Sequence, residues 1–568
     1  MRGTLLERLK ALPPEKLAQL KHETASESVS GHALLAEALQ GCGIKRVYGV
    51  SGTPVDQIFA ECAARGIRPL STVTQQAAVL MAAAGNYLAG RLEAAVVVSS
   101  GPGVTNTVTG VLVARENGWP VLVVGGRRAL LHEGIGYFQE LDAVPILRPV
   151  TKMAMTITKT SAIRNDVAHA VATATASRRG PVYLDLPEDI LEGRAARDEA
   201  SLPKPILESE IDREKVGEAG RIIARAKRPL LILGEDIRWS FLAESLRELV
   251  DEFGIPFITS PMGRGFLSDN HPLCANEFRT SIQGEADVVV LAGAWFDWRF
   301  RFGTTLGARA RVIHADADPA TLGKNVAGAL TILGEPGEFL THLAEALLPS
   351  MGRDRFADWH ESLGQRRRAF RSSQAAWLQQ KRSPMLPQEL YLSLRDVLPS
   401  DAIIAVEGNI SLAAAQKILQ ASRPASWLDP GRNGIIGAAI HFAMGAKLAC
   451  PDRTVVALCS DTGFGMSAMD LEAAVRHHIP IIVVIANNDG NSGSVRQKNF
   501  FPADYPERFT EFLPGLRYER IMALFGGHAE YITEAAEIRP AFERALAAAV
   551  PACLNVQLDS HAPHSGFW

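Results

Sequence analysis

The chain has 568 residues, of which 47% are hydrophobic and 21% are charged, and its formal net charge is -3. At about 100 to 200 residues per domain, this length predicts three or four domains rather than one core. The near-neutral charge excludes a broad electrostatic case for binding nucleic acid or a membrane surface, and it favours small-molecule chemistry.

The cysteines and the first residues indicate a cytoplasmic protein. The six cysteines form no CxxC pair and have no regular spacing, which argues against a disulfide framework and against a zinc site. The first 20 residues mix charged side chains with leucines and lack the unbroken apolar core of a signal peptide. Because every apolar run is far shorter than the roughly 18 residues that a bilayer requires, no membrane-spanning helix is predicted.

Runs of valine, isoleucine and alanine recur along the chain, each followed by a helix-length stretch. This pattern predicts an α/β fold of doubly wound parallel sheets. The first block spans residues 30–196, after a helical extension over residues 1–29. Its predicted elements are the helix GHALLAEALQGCG, the strand KRVYGVSG, the helices PVDQIFAECAARG and VTQQAAVLMAAAGNYLAG, and a last strand, GPVYLDLP.

Two further blocks follow a polar, proline-bearing linker. The second, residues 210–349, contains the strands RPLLILGED, IPFITS, DVVVLAGA and RVIHADAD. A charged helical stretch leads to the third, residues 384–559, with the strands DAIIAVEGN, TVVALCSD, IPIIVVIANN and ACLNVQLD. The tail, residues 560–568, lacks any periodic pattern, so we expect it to act as a lid over an active site rather than as core.

Oxygen-bearing groups follow two neighbouring strands of the third block. Asp461 follows TVVALCS, Asn488 lies 27 residues further on, and Gly490 lies two beyond that. The carboxyl ends of strands form the ligand-binding edge of a doubly wound sheet. A carboxylate, an amide oxygen and a backbone carbonyl suit Mg²⁺, whose other ligands are normally water and substrate phosphates. In isolation the same residues would more often form a helix cap and a turn, so the assignment depends on the neighbouring motifs.

The segment CSDTGFGMSAMDLEAAVRHHIPIIVVIANNDGN resembles the magnesium and diphosphate motif of thiamin-diphosphate enzymes, which begins Gly-Asp-Gly and ends Asn-Asn. Ser460 stands where the first glycine is usual, and Thr462 stands where the second is. The metal-binding positions Asp461, Asn488 and Gly490 are intact, and the small residues Thr462 and Gly463 allow backbone amides at a helix start to approach the diphosphate.

Two other segments fit the same family. EGNISLAAAQ resembles its second diphosphate loop, which implies that Gly408, Asn409 and Ser411 contact phosphate. LDPGRNGIIGAAIHFAMGAKLA resembles the stretch that carries the pyrimidine ring. There the Gly434 carbonyl is expected to accept from the 4′-amino group, and Ile436 is expected to be the apolar wedge that bends the cofactor.

The resemblance covers nearly the whole chain. SSGPGVTNTVTGVLVARENGWPVLVVGG looks like the family's pyrimidine domain. In the following stretch Gln139 aligns with a glutamine beside the reactive carbon, while Tyr137 and Phe138 lie close to the position of an active-site tyrosine of oxalyl-CoA decarboxylases. MGRGFLSDNHP, AGAWFDWRFRFG and HADADPATLGKN look most like the 2-hydroxyacyl-CoA lyase and oxalyl-CoA decarboxylase branch.

One departure concerns catalysis directly. The family's catalytic glutamate aligns with Gln75 in VTQQAAVLMAAAG, and Glu61 cannot replace it because Glu61 belongs to the preceding helix. An amide can form hydrogen bonds but cannot relay a proton to the pyrimidine ring. Either another route activates the cofactor, as family members without this glutamate imply, or the chain is slow, differently specialised or an engineered variant.

The string DGNSGSVRQKNFFPADYP lies where family members place groups that face the substrate. Asn491, Ser492 and Ser494 are candidates to hydrogen-bond an acyl oxygen or to move a proton, and we select Ser494 as a catalytic candidate. Arg496 and Lys498 are candidate contacts of CoA phosphates. A plain polar loop and an exposed cationic pair explain the same residues equally well.

The resemblance implies a thiamin-diphosphate- and Mg²⁺-dependent lyase that cleaves or forms a 2-hydroxyacyl-CoA, with formyl-CoA and an aldehyde or ketone as the other partners. The alternatives are an oxalyl-CoA decarboxylase, an acyloin or acetolactate-type carboligase, and a cofactor-binding protein weakened by Gln75. The family's shared sites imply a dimer at minimum, and a homotetramer is expected. FAD and NAD are not predicted, because no GxGxxG follows a strand, whereas ADP in the central domain is left open.

Overall fold

The computed structural model describes residues 28–197, 210–240, 242–347 and 352–563, and the side chains of residues 353–354 and 410–412 lie outside this description. Three parallel sheets, of six, five and six strands, confirm the predicted α/β class. Residues 1–27 of the expected helical extension and residues 564–568 of the expected lid lie outside the described ranges.

The first domain is a six-stranded parallel sheet with helices on both faces. Its strands, and two strands of a small separate sheet, are β1 (Ser28–Ser30), β2 (Arg46–Val50), β3 (Arg68–Ser71), β4 (Ala94–Val98), β5 (Val121–Arg127), β6 (Met153–Thr156), β7 (Pro181–Pro187) and β8 (Arg194–Ala196). Its helices are α1 (Gly31–Gly41), α2 (Asp56–Ala64), α3 (Gln75–Ala89), α4 (Pro102–Thr105), α5 (Val108–Glu116), α6 (Val144–Leu147), α7 (Ile163–Thr175) and α8 (Glu188–Glu192). The strand order is β3-β2-β4-β5-β7-β6, and β4 is buried throughout because both faces of the sheet are covered.

The first and last strands of the first domain differ from the sequence prediction. β1 pairs antiparallel with β8 in a two-stranded sheet. Ser28 and Val29 are therefore extended rather than helical, and GPVYLDLP is not the last strand of the block. Such a short pairing depends on two distant segments meeting, and neither segment has a strand-like apolar run.

The central domain is a five-stranded parallel sheet in the order β10-β9-β11-β12-β13. Its strands are β9 (Pro229–Leu233), β10 (Phe257–Thr259), β11 (Val288–Ala292), β12 (Arg311–Asp316) and β13 (Leu330–Leu333). Its helices are α9 (Arg213–Arg225), α10 (Ala243–Arg247), α11 (Arg279–Glu285) and α12 (Pro336–Leu347), and the predicted charged helix follows as α13 (Ala357–Leu378).

The third domain repeats the topology of the first. Its strands are β14 (Ile403–Val406), β15 (Trp427–Leu428), β16 (Val455–Ser460), β17 (Ile482–Asn487), β18 (His528–Ile532) and β19 (Ala552–Gln557). Its helices are α14 (Pro387–Arg395), α15 (Asn409–Ile418), α16 (Ala439–Ala449), α17 (Asp461–Ser467), α18 (Leu471–Arg476), α19 (Gly493–Phe500), α20 (Glu519–Leu524) and α21 (Ala535–Ala548). The order β15-β14-β16-β17-β19-β18 matches that of the first domain when the strands of each main sheet are numbered in turn.

The first and third domains meet where helix α3 crosses helix α16. Both helices are rich in alanine and largely buried, so the two domains share one hydrophobic core. A Cβ on Gly445 would lie 2.2 Å from the Met81 carbonyl oxygen, so glycine is required at this crossing. None of the helices within the described ranges combines the length and apolar composition needed to cross a bilayer. All six cysteines are free, in agreement with the sequence prediction.

Candidate active site

A cavity of about 660 Å³ lies at the carboxyl edge of the third sheet. Strands β14, β16 and β17 are neighbours there, so the residues that follow them lie side by side. Six of the predicted cofactor contacts line this cavity, namely Gly408, Asn409, Gly434, Ile436, Thr462 and Asn488. Its volume lies within the range of about 300 to 1,000 Å³ that is usual for small-molecule sites.

Asp461 is the buried carboxylate of this edge. Its Oδ1 accepts a hydrogen bond from the Thr462 amide at 2.7 Å, and its Oδ2 accepts one from the Gly490 amide at 2.8 Å. Burial raises the pKa of Asp461 to about 6. Backbone amides rather than a cationic side chain surround the carboxylate within the described chain, so a bound cation would offset the cost of burying its charge.

Asn488 and Gly490 complete the predicted set of oxygen ligands. With its amide oriented to satisfy both neighbours, Asn488 donates to the Gly490 carbonyl at 3.1 Å and accepts from the Gly493 amide at 3.1 Å. Gly490 has a φ of 150°, and a Cβ there would lie 2.4 Å from the Thr510 carbonyl oxygen. The structure therefore brings the three predicted ligands together, as the strand-end argument expected.

The two departures from the Gly-Asp-Gly pattern have local roles. Ser460 caps helix α17, because its hydroxyl accepts from the Gly463 amide at 3.1 Å. The Thr462 amide is bonded to Asp461, and the Thr462 side chain borders the cavity. Ser411 lies in the first turn of α15, but its side chain is outside the described part of the chain.

Glu407 is a functional candidate that the sequence analysis missed. It follows β14 directly and is fully buried, and its Oε2 accepts from the Gly437 amide at 2.8 Å. A Cβ on Gly463 would lie 1.8 Å from Glu407 Oε1, so glycine at 463 makes room for this carboxyl group. Burial raises the pKa of Glu407 to about 8. Its position one residue before Gly408 was the only signal in the sequence.

The loop held by Glu407 carries the two residues assigned to the pyrimidine ring. Gly434 adopts a left-handed conformation with a φ of 56°, and Ile436 is half-buried at the cavity wall. An apolar side chain left partly exposed inside a cavity is consistent with the wedge role that the resemblance implies for Ile436.

Gln75 lies on the first domain, at the first position of helix α3. Thr74 caps this helix, and Gln75 Oε1 accepts from Asn106 Nδ2 at 3.1 Å. Gln75 does not line the cavity in the same chain, although its neighbour Gln76 does, together with Thr109. Gln76 and Thr109 were not identified from the sequence, because their contact depends on how two domains pack.

Gln139 and Tyr137 also lie away from the cavity. Gln139 has a φ of 60°, and its Oε1 accepts from the Ser100 hydroxyl at 3.2 Å. Tyr137 is 42% exposed and stacks on His132, with ring centroids 4.5 Å apart, and the exposed Phe138 follows it. The first domain thus presents Gln75 and Gln139 as polar groups, and neither borders the cavity of its own chain.

The substrate-side candidates separate into two groups. Arg496 and Asn491 line the cavity and are linked by a hydrogen bond of 3.2 Å. Ser494 is buried and does not line the cavity, and its hydroxyl donates to Ser560 Oγ at 3.4 Å. Lys498 contacts His561 Nδ1 at 3.2 Å.

The central domain contributes one side chain to the same cavity. Trp298 lines it while 44% exposed, and its indole nitrogen donates to the Arg432 carbonyl at 3.0 Å. It belongs to the string AGAWFDWRFRFG, in which no sequence feature distinguishes it from its aromatic neighbours.

The residues present fit a magnesium diphosphate group. Within the described ranges, no cluster of three or more His, Cys, Asp or Glu side chains is placed to hold a metal. One buried carboxylate, one amide oxygen and one carbonyl leave the remaining positions of a Mg²⁺ ion to water and phosphate oxygens. Because Gly408 and Gly463 stand where side chains would collide with Ser460 and Glu407, the two loops pack closely at the start of their helices.

Three known domain families match the sequence. The N-terminal TPP binding domain of thiamine pyrophosphate enzymes matches residues 29–146, their central domain matches residues 216–343, and their C-terminal TPP binding domain matches residues 407–556.

Similar proteins span nearly the same length but differ in name. The acetolactate synthase large subunit of Mycobacterium tuberculosis is 32% identical over 94% of this chain and 96% of its own. The 2-hydroxyacyl-CoA lyase 1 of Mus musculus is 30% identical over 96% of this chain and 97% of its own. The oxalyl-CoA decarboxylase of Escherichia coli is 29% identical over 94% and 96%. With its three matched domains and full-length relatives, the chain belongs to the thiamine pyrophosphate enzyme family.

Proposed function

We propose that this chain is a Mg²⁺-dependent carbon–carbon lyase that splits a 2-hydroxyacyl-CoA into formyl-CoA and an aldehyde or ketone, or runs the reverse reaction. The observation that carries the proposal is the buried Asp461 carboxylate beside a cavity of about 660 Å³. The Gly490 amide donates to Asp461, and the Gly490 carbonyl accepts from Asn488, which lines the cavity. The similarity to 2-hydroxyacyl-CoA lyase 1 supports the choice of reaction.

The third domain would hold the cofactor's charged end. Asp461, Asn488 and the Gly490 carbonyl would bind Mg²⁺, and a single carboxylate suits a metal that also binds phosphate oxygens. Gly408 and Asn409, which line the cavity, begin helix α15, whose positive end favours an anion. Ser411, Thr462 and Gly463 are the further proposed contacts of the diphosphate.

Bound thiamin diphosphate supplies a nucleophilic carbon and an electron sink for cleavage beside a carbonyl. The chain's own residues would orient the cofactor and exclude water from it. The Gly434 carbonyl would accept from the 4′-amino group, and Ile436 would fix the bend of the cofactor. Glu407 holds the backbone that joins these two residues to α16, through the Gly437 amide.

Proton transfer needs a group other than Gln75. The Gln75 amide would form a hydrogen bond to the pyrimidine ring without exchanging a proton with it. We propose Ser494 as the group that moves a proton on the substrate side, with its hydroxyl already aligned on Ser560. Gln139 would form a polar contact beside the reactive carbon, and Tyr137 would lie beside the acyl group.

Two features of the cavity lining favour a CoA thioester over a small keto acid as the proposed substrate. Arg496 offers a cationic group there for charge-assisted bonds to phosphate. The exposed faces of Trp298 and Met466, which is 63% exposed, provide apolar surface for an acyl or pantetheine chain.

The functional unit is proposed to be a dimer at minimum, with a tetramer expected. Gln75 and Gln139 do not line the cavity of their own chain, so a second copy would have to present them to it. Val73, two residues before Gln75, is 44% exposed, and Met469 of the third domain is 56% exposed, which leaves apolar surface for such a contact. Sedimentation of the purified protein as a monomer under assay conditions would contradict this assembly.

A substrate panel tests the proposed reaction. The holoenzyme is incubated separately with a 2-hydroxyacyl-CoA, with oxalyl-CoA and with pyruvate, and the products are identified by mass spectrometry. We expect formyl-CoA and an aldehyde from the first substrate at a higher kcat/KM than any product from the others. Preferred turnover of oxalyl-CoA or pyruvate would replace the proposal with a decarboxylase or a carboligase, and no turnover would favour a weakened cofactor-binding protein.

A further inference from the structure

Asp489 stands between Asn488 and Gly490, two of the proposed metal ligands, but it does not line the cavity of about 660 Å³. Its backbone is left-handed, with a φ of 59°, a conformation that favours glycine, asparagine and aspartate. Because its backbone joins the two ligands directly, a contact that holds Asp489 in this conformation also holds Asn488 and the Gly490 carbonyl.

Both carboxylate oxygens of Asp489 accept hydrogen bonds within the protein. Oδ1 accepts from the Gly515 amide at 2.8 Å, and Oδ2 accepts from Gln557 Nε2 at 2.9 Å. The Asp489 amide in turn donates to Asn487 Oδ1 at 3.2 Å. Since both neighbours of the carboxylate are donors, position 489 requires a side chain with two acceptor atoms.

The orientation of the Gln557 amide is fixed by its other contacts. Asn487 and Gln557 are the last residues of β17 and β19 and are partners in the register of the two strands. Gln557 Oε1 accepts from Asn487 Nδ2 at 3.3 Å and from the Tyr531 hydroxyl at 3.2 Å. Asn487 is oriented in turn, because its Oδ1 accepts from the Asp489 amide and its Nδ2 also donates to the Leu516 carbonyl at 3.3 Å. Gln557 therefore presents its NH₂ group to Asp489.

A segment of the chain leaves this point and returns to it. We call residues 491–514 the substrate segment, because they include three proposed substrate-side residues, Asn491, Ser494 and Arg496. The segment follows Gly490 directly and ends at Gly515, whose amide binds the Asp489 side chain. Near the same end, the Phe512 amide donates to the Asp489 carbonyl at 2.8 Å. The two ends of the substrate segment therefore meet beside the proposed metal ligands.

Asparagine at position 489 would satisfy only one of the two donors. It has the same size as aspartate and tolerates the left-handed backbone, but it replaces one acceptor oxygen by an NH₂ group. Whichever way that amide is turned, its NH₂ group would face either the Gly515 amide or the NH₂ group of Gln557. One hydrogen bond would therefore be lost, unless Gln557 changed as well.

We propose that Asp489 is a positioning residue that holds the proposed metal ligands Asn488 and Gly490 and ties the substrate segment to them. It acts through its bonds to Gly515 and Gln557 rather than as a further metal ligand. The inference rests on the proposed function, since it requires Mg²⁺ and thiamin diphosphate at this edge of the sheet. Contacts that orient metal ligands typically change metal affinity about 10- to 100-fold when they are removed.

Calorimetric titration of thiamin diphosphate with Mg²⁺ into the full-length protein tests the role in binding. Asp489→Asn is expected to weaken the affinity about 10- to 100-fold. The double variant Asp489→Asn with Gln557→Glu reverses the direction of the bond, because the asparagine can donate to the new carboxylate and still accept from the Gly515 amide. This variant has the total charge of wild type, and it is expected to bind with close to the wild-type affinity.

Asp504→Asn is the matched control, because Asp504 is exposed in the same segment and its replacement removes the same charge. It is expected to bind like wild type. If Asp489 bound the metal through its own charge, the double variant would stay as weak as Asp489→Asn, and the positioning role would be overturned. Equal affinities of Asp489→Asn and wild type would contradict it as well.

Amide hydrogen exchange over residues 510–516 of the cofactor-free protein, read by mass spectrometry, tests the tie to the substrate segment. We expect exchange in Asp489→Asn to be faster than in wild type and Asp504→Asn by about tenfold or more, the range for a hydrogen bond to a charged group. The double variant is expected to exchange like wild type. Unchanged exchange in Asp489→Asn would overturn this tie. Failure of wild type to bind thiamin diphosphate would instead overturn the proposed function, and exchange would still decide whether Asp489 holds the segment.

Discussion

The Asp470 carboxylate of the third domain binds Thr74, the residue that caps the helix on which Gln75 lies. Its Oδ1 accepts from the amides of Val73 at 2.9 Å and Thr74 at 3.2 Å. Its Oδ2 accepts from the Thr74 hydroxyl and from His441 Nε2, both at 3.0 Å. Because Asp470 lies nine residues after Asp461, one short segment serves the metal site and also fixes the start of helix α3.

Replacing Asp470 should loosen the start of α3. Asp470→Ala leaves the partly buried Val73 and Thr74 amides without this acceptor, at a cost of at most about 1 to 3 kcal/mol each. We expect faster amide hydrogen exchange over residues 73–80, measured by mass spectrometry on intact protein. Glu472→Gln is the control, since this more exposed residue of the next helix pairs with Arg476. Equal exchange in Asp470→Ala and Glu472→Gln would contradict the role of Asp470.

Gln75→Glu should accelerate activation of the cofactor. The carboxylate can keep the bond from Asn106 Nδ2, and it adds a group that exchanges protons with the pyrimidine ring. Deuterium exchange at the thiazolium carbon, followed by quenched-flow NMR, is expected to rise about 10² to 10⁴-fold. The exposed Gln379→Glu serves as control. Equal exchange in Gln75→Glu and wild type would show that Gln75 does not face the pyrimidine ring.

Glu407 should make the stability of the cofactor-free protein depend on pH. Burial raises its pKa to about 8 in the folded state, against about 4.3 in an unfolded chain. The folded protein therefore keeps a proton that the unfolded chain releases, and stability declines as the pH rises from about 4 to about 8. Glu407→Gln mimics the protonated form, so its melting temperature should vary less with pH than that of wild type between pH 5 and pH 9. Over this range it should stay close to the melting temperature that wild type has at the acid end.

The matched control for this experiment is again Glu472→Gln. Its profile should run parallel to that of wild type, because Glu472 pairs with Arg476 at the surface and its pKa is lowered rather than raised. If the profiles of Glu407→Gln and wild type have the same slope, Glu407 is ionised in the folded protein, and the raised pKa is contradicted.

The sequence predicts those parts of the fold and site that depend on local pattern. β16 and β17 are strands of six residues that each begin with five apolar residues, and their ends placed Asp461 and Asn488 at one edge correctly. β15 has only two residues and β18 is a half-exposed HAEYI segment, so neither has the apolar run that identifies a buried strand.

Contacts between distant segments are the part that the sequence does not reveal. Asp470 reaches Thr74 across 396 residues, and Glu407 reaches Gly437 across 30. The roles of Glu407 and Asp470 therefore depend on domain packing that no motif encodes. The same reason explains why Gln76, rather than Gln75, lines the cavity of its own chain.

The most direct test of the account is calorimetric titration of thiamin diphosphate, with and without Mg²⁺, into wild type and Asp461→Ala. Asp461 is the one carboxylate assigned to the metal, and Asp452→Ala at the surface is the control. We expect Mg²⁺-dependent binding to wild type and to Asp452→Ala, weakened in Asp461→Ala by about two orders of magnitude or more. Unchanged affinity in Asp461→Ala would contradict the metal site and, with it, the assignment of this cavity to the cofactor.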